Sequence, residues 1–396
     1  MNLNGVQIRG RLSFNGATIT NTTAGGKAVV ALSAVGARIA GTLRFARFGP
    51  TTTTEPGGAR LHCEGRINLA GAEVGGDLLF QGASLRNGTE DAIALSAKGI
   101  HVGGNVSFTS GFSAEGAVMM PGATVGRGVR FSEARFRNRA ETAIHAKDMR
   151  IGDDLCFENT AAEGDLRFER IDVAGSLVWD GLAISSTRKQ KPNPPLDLRH
   201  ARIGSALKAR ELSVEHPSLI DLYGMRVSSI ELSWPKGWGS PKADHRARLV
   251  NLDGLTYDRI TISSAREKAS ASLLVRLGDL LARVFGPRRN SLANDYARWL
   301  RLQAKQTAGD GSGFLPQPYR QLARVLRNQG EDGAARDIAI AEQWAAPKAG
   351  LLPGMARSAF GIGFGFGLRP RNAIITLLVF LLVGTAACGP RRTVGS

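Results

Sequence analysis

A seven-residue frame recurs along the first two thirds of the chain and restricts what it can fold into more than any other feature. The frame places an apolar residue, glycine, an aliphatic residue and an aromatic residue at alternate positions. It first reads Ile8-Arg-Gly10-Arg-Leu12-Ser-Phe14 and returns at frames beginning with Ile39, Cys63, Val74, Val102, Val125, Ile151, Ala162, Val173 and Ile203. The fifth position is aliphatic in every copy. The seventh is aromatic in eight of the ten, with Leu69 and Ala209 as exceptions, although only 6% of the chain is aromatic, so chance does not account for the pattern. The third position is glycine except at Arg127, Asp153 and Ser205.

Alternation at period two is the mark of a strand. It predicts the first, third, fifth and seventh side chains on one buried face and the intervening polar residues on the other. An α-helix would smear these positions around its circumference. Some copies begin 11 residues apart, as from Cys63 to Val74 and from Ile151 to Ala162 to Val173, and others two to three times that. A coil with several sides, some of whose corners bear insertions, has this spacing. Stacked coils put Phe over Phe in an internal ladder and glycine where the wall turns tightly. A sandwich fits less well, because near-identical register favours one strand placed over the next. Residues 1–260 are therefore expected to form an all-β right-handed parallel β-helix, or solenoid. Its first coil opens without a cap, which predicts self-association through the solenoid ends or a partner covering that edge.

Beyond residue 260 the period changes to a helical one, and 265–347 is expected to be a small α-helical region. Leu273, Leu277, Leu280, Leu281 and Val284 share a face before the Gly286-Pro287 stop, and Ser291 caps a second helix carrying Leu292, Tyr296, Trp299 and Leu300. Tyr319, Leu322, Ala323 and Leu326, a turn at Gly330, then Ala335, Ile338 and Ala339 predict a helical hairpin of tetratricopeptide type, closed by Pro347. A Gly/Phe-rich segment occupies 348–371. Ile374 to Cys388 is the only long apolar run, and 372–388 is expected to be a C-terminal transmembrane segment, with 389–396 as a tail. At about 1.5 Å per residue the run spans about 22 Å, short of the ~30 Å hydrocarbon core.

The formal charge of +17 predicts an anionic partner, either anionic lipid at a membrane or an acidic protein surface. Nucleic acid is disfavoured, because the aromatics belong to the buried face and are not interleaved with surface arginines. Six histidines and three cysteines lie scattered without metal-ligand or disulfide spacing, so no metal is expected. No dinucleotide cofactor is expected either, since the glycines of Gly361 to Gly367 have spacing two and no preceding strand. The fourth frame position carries Asp77, Asn105, Asp154 and Asp165, predicted to line up outside. A solvated stripe is favoured there over a pair of hydrolytic carboxylates. Cys63 reads as a small core residue and Cys156 as an outward thiol with nothing nearby to lower its pKa. No residue is assigned a catalytic role.

Frames continuing as Gly16-Ala17-Thr-Ile19 and Gly82-Ala83-Ser-Leu85 resemble pentapeptide-repeat solenoids. Taken with Tyr319-x-x-Leu322-Ala323-x-x-Leu326-Arg327-x-x-Gly330, and with Gly365-Phe-Gly-Leu368-Arg-Pro370 before the apolar run, the chain resembles bacterial membrane-associated repeat proteins catalogued as membrane-associated oxidoreductases. The resemblance implies membrane attachment and, by its label, redox activity. The residues themselves point instead to a non-enzymatic scaffold at the cell membrane. Met1 to Phe14 offers no basic segment followed by an apolar one, so the solenoid is expected on the cytoplasmic side.

Overall fold

A computed structural model describes residues 1–21, 30–47, 59–87, 93–185, 194–214, 219–233, 249–263, 295–297, 299–300, 302–303, 314–346 and 370–387. The chain divides into two compact units, Met1–Ala265 with Leu302–Ala304, and Arg266–Arg301 with Lys305–Ser396.

The first unit is a parallel β-solenoid. Its strands form a 17-stranded and a 15-stranded sheet, and neighbouring strands pair in parallel from one coil to the next. One coil shows the plan. Arg150–Ile151 and Leu155–Glu158 lie in the larger sheet and Ala161–Arg167 in the smaller, before Asp172–Val173 begins the next coil directly over Arg150–Ile151. The 11-residue step in the sequence is half of such a coil.

The frame is not one continuous strand, which corrects the simple alternation. Its first, fifth and seventh residues point inward, as in Ile39, Leu43 and Phe45, each at most 1% exposed. Between the first and fifth the chain turns a corner, so Arg127, Asp153 and Ser205 at the third position are exposed instead of buried. Glycine dominates this corner because successive coils nearly touch. A Cβ on Gly103 would stand 2.5 Å from the Gly75 carbonyl oxygen.

The frames at Cys63 and Ala162 lie in the smaller sheet and face the others across the interior. The aromatic ladder therefore runs Phe14, Phe45, Phe80, Phe108, Phe131, Phe157, with successive rings 4.7 to 5.2 Å apart and planes within 15°. The strand spacing of ~4.8 Å imposes this stacking. Trp179, Ala209, Leu232 and Ile262 continue the column in register. Phe168, expected in the ladder, meets Phe157 edge-on at 5.6 Å from the opposite wall. Phe112 and Phe136, which no frame contains, fill the interior against the edges of Phe108 and Phe131.

Within the smaller sheet the corner alternates between coils. Glu64-Gly65, Glu115-Gly116 and Glu163-Gly164 turn directly, each glycine at φ between 109° and 136°. The coils between them carry insertions at this corner, based on Asn21, Asn87 and Asn138. Their side-chain amides donate to Val30, Ile93 and Thr142 carbonyls at 2.8 to 2.9 Å. Residues preceding these corners stack Glu64, Arg86, Glu115, Arg137 and Glu163 in register, and Arg86–Glu115, Arg137–Glu115 and Arg137–Glu163 pair at 2.9, 3.5 and 3.2 Å. The structural repeat here is thus two coils.

In the second unit α1 (Pro316–Asn328) and α2 (Asp332–Ala345) form the hairpin, burying Tyr319, Leu322, Ala323 and Leu326 against Ala334, Ala335 and Ile338. Gly330 at φ 81° makes the turn. Tyr296, Trp299 and Leu300 are buried, whereas the predicted Leu273 to Val284 helix, Pro347, most of 348–371, Cys388 and the tail lie outside the described residues. α3 (Pro370–Ala387) covers the expected transmembrane segment, with a correction. Among the described residues no helix is long and apolar enough to cross a membrane. Its 18 residues extend about 27 Å and open on the polar Pro370-Arg371-Asn372.

Candidate functional site

The outer surface of the larger sheet carries a concavity of about 350 Å³. It forms where outward frame positions of successive coils stack. Asp77, Asn105, Gly128 and Asp154 supply the fourth position, Arg130 and Cys156 the sixth, and Asp153 the third.

Three of the four residues expected to line up outside are therefore brought together. Asp165 is not. Its frame belongs to the opposite wall, where it is 2% exposed.

The fourth position has a regular structural role. Its side-chain oxygen accepts the backbone N–H of the same position one coil further on, which satisfies a donor that the corner removes from the strand ladder. Asp77 N–H donates to Thr42 Oγ1 at 3.4 Å, Asn105 N–H to Asp77 Oδ1 at 2.7 Å, Gly128 N–H to Asn105 Oδ1 at 3.2 Å and Ser176 N–H to Asp154 Oδ1 at 2.6 Å. Gly128 interrupts the series, having no side chain to offer Asp154. The concavity follows from that interruption.

Asp77 and Asp154 each accept a backbone N–H in this way. Cys156, expected on the outer face, is only 9% exposed within the concavity. Burial, reinforced by Asp154 and opposed by Arg130, pushes its thiol up from the usual value. Cys63 lies inside the solenoid as expected, where burial pushes its thiol up to about 12 and its Sγ–H donates to the Gly65 carbonyl at 3.7 Å. Among the described residues no group of three or more His, Cys, Asp or Glu is placed to hold a metal.

A second polar column stands on the smaller sheet. Asp197, Asp221 and Asn251 stack in register and are all buried. Arg199 donates to Asp197 at 2.6 Å and lies 3.9 Å from Asp221, while Asn251 Nδ2 donates to Asp221 Oδ1 at 3.0 Å. Burial pushes the Asp221 carboxyl up, and neighbouring Asp197 adds to the effect. The seven-residue frame does not contain these residues. The repeated triplets Leu196-Asp-Leu198, Ile220-Asp-Leu222 and Val250-Asn-Leu252 are the signal that marks them.

Fold and surface together define the class: a repeat protein of the parallel β-solenoid type. Comparison with protein-family models, curated proteins and solved structures finds no match to the chain.

Proposed function

We propose that the chain is a non-enzymatic scaffold. Its solenoid presents a surface to a protein partner on the cytoplasmic side, and its second unit tethers it to an anionic cell membrane. The observation that carries the tether is the surface of α3. Ile374, Leu377, Leu378 and every residue from Phe380 to Val383 are 54 to 70% exposed, with no polar face among them. An apolar surface of this kind is stabilised by ~25 cal/mol per Å² when hydrocarbon covers it. Attachment needs that burial and not a complete crossing.

The hairpin supports the choice of an anionic surface. Arg320, Arg324 and Arg327 recur at i, i+4 and i+7 on the exposed face of α1, opposite its buried stripe. Each basic residue near an anionic leaflet contributes about 1 kcal/mol. On the solenoid, Arg202 and Arg226 are exposed neighbours in one register column, and neither has an acidic partner among the described residues. Together with the charge of +17 they favour an acidic partner.

Vesicle flotation tests the tether. The full chain is expected to float with vesicles containing anionic lipid, and a chain ending at Arg369 to stay behind in high salt, which screens the arginines beyond ~8 to 10 Å. Equal flotation of the two in high salt would remove α3 from the account.

A further inference from the structure

We propose that the concavity at Gly128 is a binding site for a neutral carboxamide, the side chain of an asparagine or glutamine on a protein partner. The inference stands on the solenoid alone and is independent of the membrane tether.

The ladder itself specifies the ligand. At the fourth frame position Thr42, Asp77, Asn105 and Asp154 each present an oxygen to the backbone N–H one coil on. Gly128 presents none, and the Asp154 N–H has no acceptor among the described residues. Gly128 does not adopt a positive φ, and the atoms nearest to a Cβ there are the Asp154 carbonyl oxygen at 3.1 Å, the Asn105 Oδ1 at 3.7 Å and the Asp154 nitrogen at 3.9 Å, so a side chain fits only if the Asp154 carbonyl gives by a few tenths of an ångström. The glycine corners at Gly75, Gly103 and Gly126 differ, since backbone blocks a side chain at the next coil. What glycine provides at 128 is space beside an unused donor.

A group filling that space must supply an oxygen to the Asp154 N–H, as Asp77 does for Asn105. Asp77, Asp153 and Asp154 line the concavity against a single Arg130, so a carboxylate would meet excess negative charge. A carboxamide avoids the repulsion. Its oxygen accepts from the Asp154 N–H, and its NH₂ group donates toward the surrounding carboxylates. Asn105 already behaves in this way one coil earlier, its Oδ1 accepting from Gly128 and its Nδ2 donating to Asp77 Oδ1 at 3.1 Å.

Cys156, lining the same concavity, is the reporter. In the full chain carrying Cys388→Ser, alkylation is expected at Cys156, slowed by its 9% exposure and raised thiol pKa, while Cys63 is fully enclosed in the solenoid. The probes are N-acetyl-asparagine N-methylamide, the matching aspartate compound and free asparagine. Asparagine-type probes are expected to slow labelling about tenfold at ten times their Kd, with the aspartate compound at the same concentration leaving the rate unchanged. Protection by the capped residue assigns the site to a polypeptide partner. Protection by free asparagine alone would replace that partner with a small molecule. Gly128→Asn should place the amide in cis, slow labelling without any probe and abolish the probe effect. Equal protection by aspartate, or protection by none of the probes, overturns the proposal even if Gly128→Asn fails to fold. A folded Gly128→Asn chain labelled at the native rate overturns it as well.

Discussion

Phe131 has no exposed surface, lies between the stacked rings of Phe108 and Phe157, and takes the edge of Phe136 against its side. Truncation to alanine leaves a cavity that backbones fixed by ladders above and below cannot close. Phe131→Ala is therefore expected to cost about 3 to 5 kcal/mol, read from the shift of a denaturant midpoint at constant slope. Asp221 shows the opposite case, a residue whose native form works against stability. Its folded pKa is raised above the unfolded value, so its contribution is fully present below the unfolded value of ~3.9 and is lost as pH rises through the folded pKa. At neutral pH the ionised, buried carboxylate destabilises the fold. Asn at this position keeps an oxygen for the Tyr223 and Asn251 donors and removes the charge. Asp221→Asn should accordingly be more stable than the native chain at pH 7, with the difference disappearing below about pH 4. Thermal melts across that range decide it, and a variant less stable at pH 7 would show that the 3.9 Å approach of Arg199 outweighs burial.

Corners, more than strands, decide how the elements assemble. Gly103→Ala places a methyl against the Gly75 carbonyl, so the coils must part, and a loss of about 1 to 3 kcal/mol is expected from the same midpoint measurement. Asn138, 7% exposed, closes its insertion through the 2.9 Å bond to the half-buried Thr142 carbonyl, and Asn138→Ala should cost about 0.5 to 1.5 kcal/mol because it removes that bond. The strands of the larger sheet were legible from period two, since inward Leu and Phe are separated by outward Ser, Arg or Leu on a straight segment. The corner was not legible. Glycine at the third position gives no side chain whose burial would reveal its direction, and only Arg127, Asp153 and Ser205 hint that it points out. The concavity was partly legible, because Asp77, Asn105 and Asp154 share a frame position, but Asp165 misled. A frame reads the same on either wall, and half a coil separates the two. The apolar run before Cys388 was legible as a helix from composition. Among the described residues no helix is long and apolar enough to cross a membrane, a property that depends on length as well as on hydropathy.

Across the solenoid, each coil meets only the coils above and below it, through the backbone ladder and the inward column, so stability is a sum of coil terms and neighbour interfaces. That column is not uniform. It carries a benzyl ring in every coil from Phe14 to Phe157, an indole at Trp179, then Ala209, Leu232 and Ile262. Loss of ring stacking after Trp179 removes ~0.5 to 1.5 kcal/mol per interface beyond the area term. The same coils also bury the Asp221 carboxylate, whose burial opposes folding at neutral pH. Both effects weaken the same end, so the solenoid should open from its C-terminal coils while the centre holds. Amides of Arg202–Arg210 and Arg226–Ser233 are expected to exchange with solvent faster at pH 7 than those of Val129–Ser132 and Leu155–Glu158, although all are paired in the same sheet. Asp221→Asn should narrow the difference and Phe131→Ala should reverse it locally. Uniform protection along the sheet would mean that backbone pairing alone, and not the ring ladder, sets the stability of each coil.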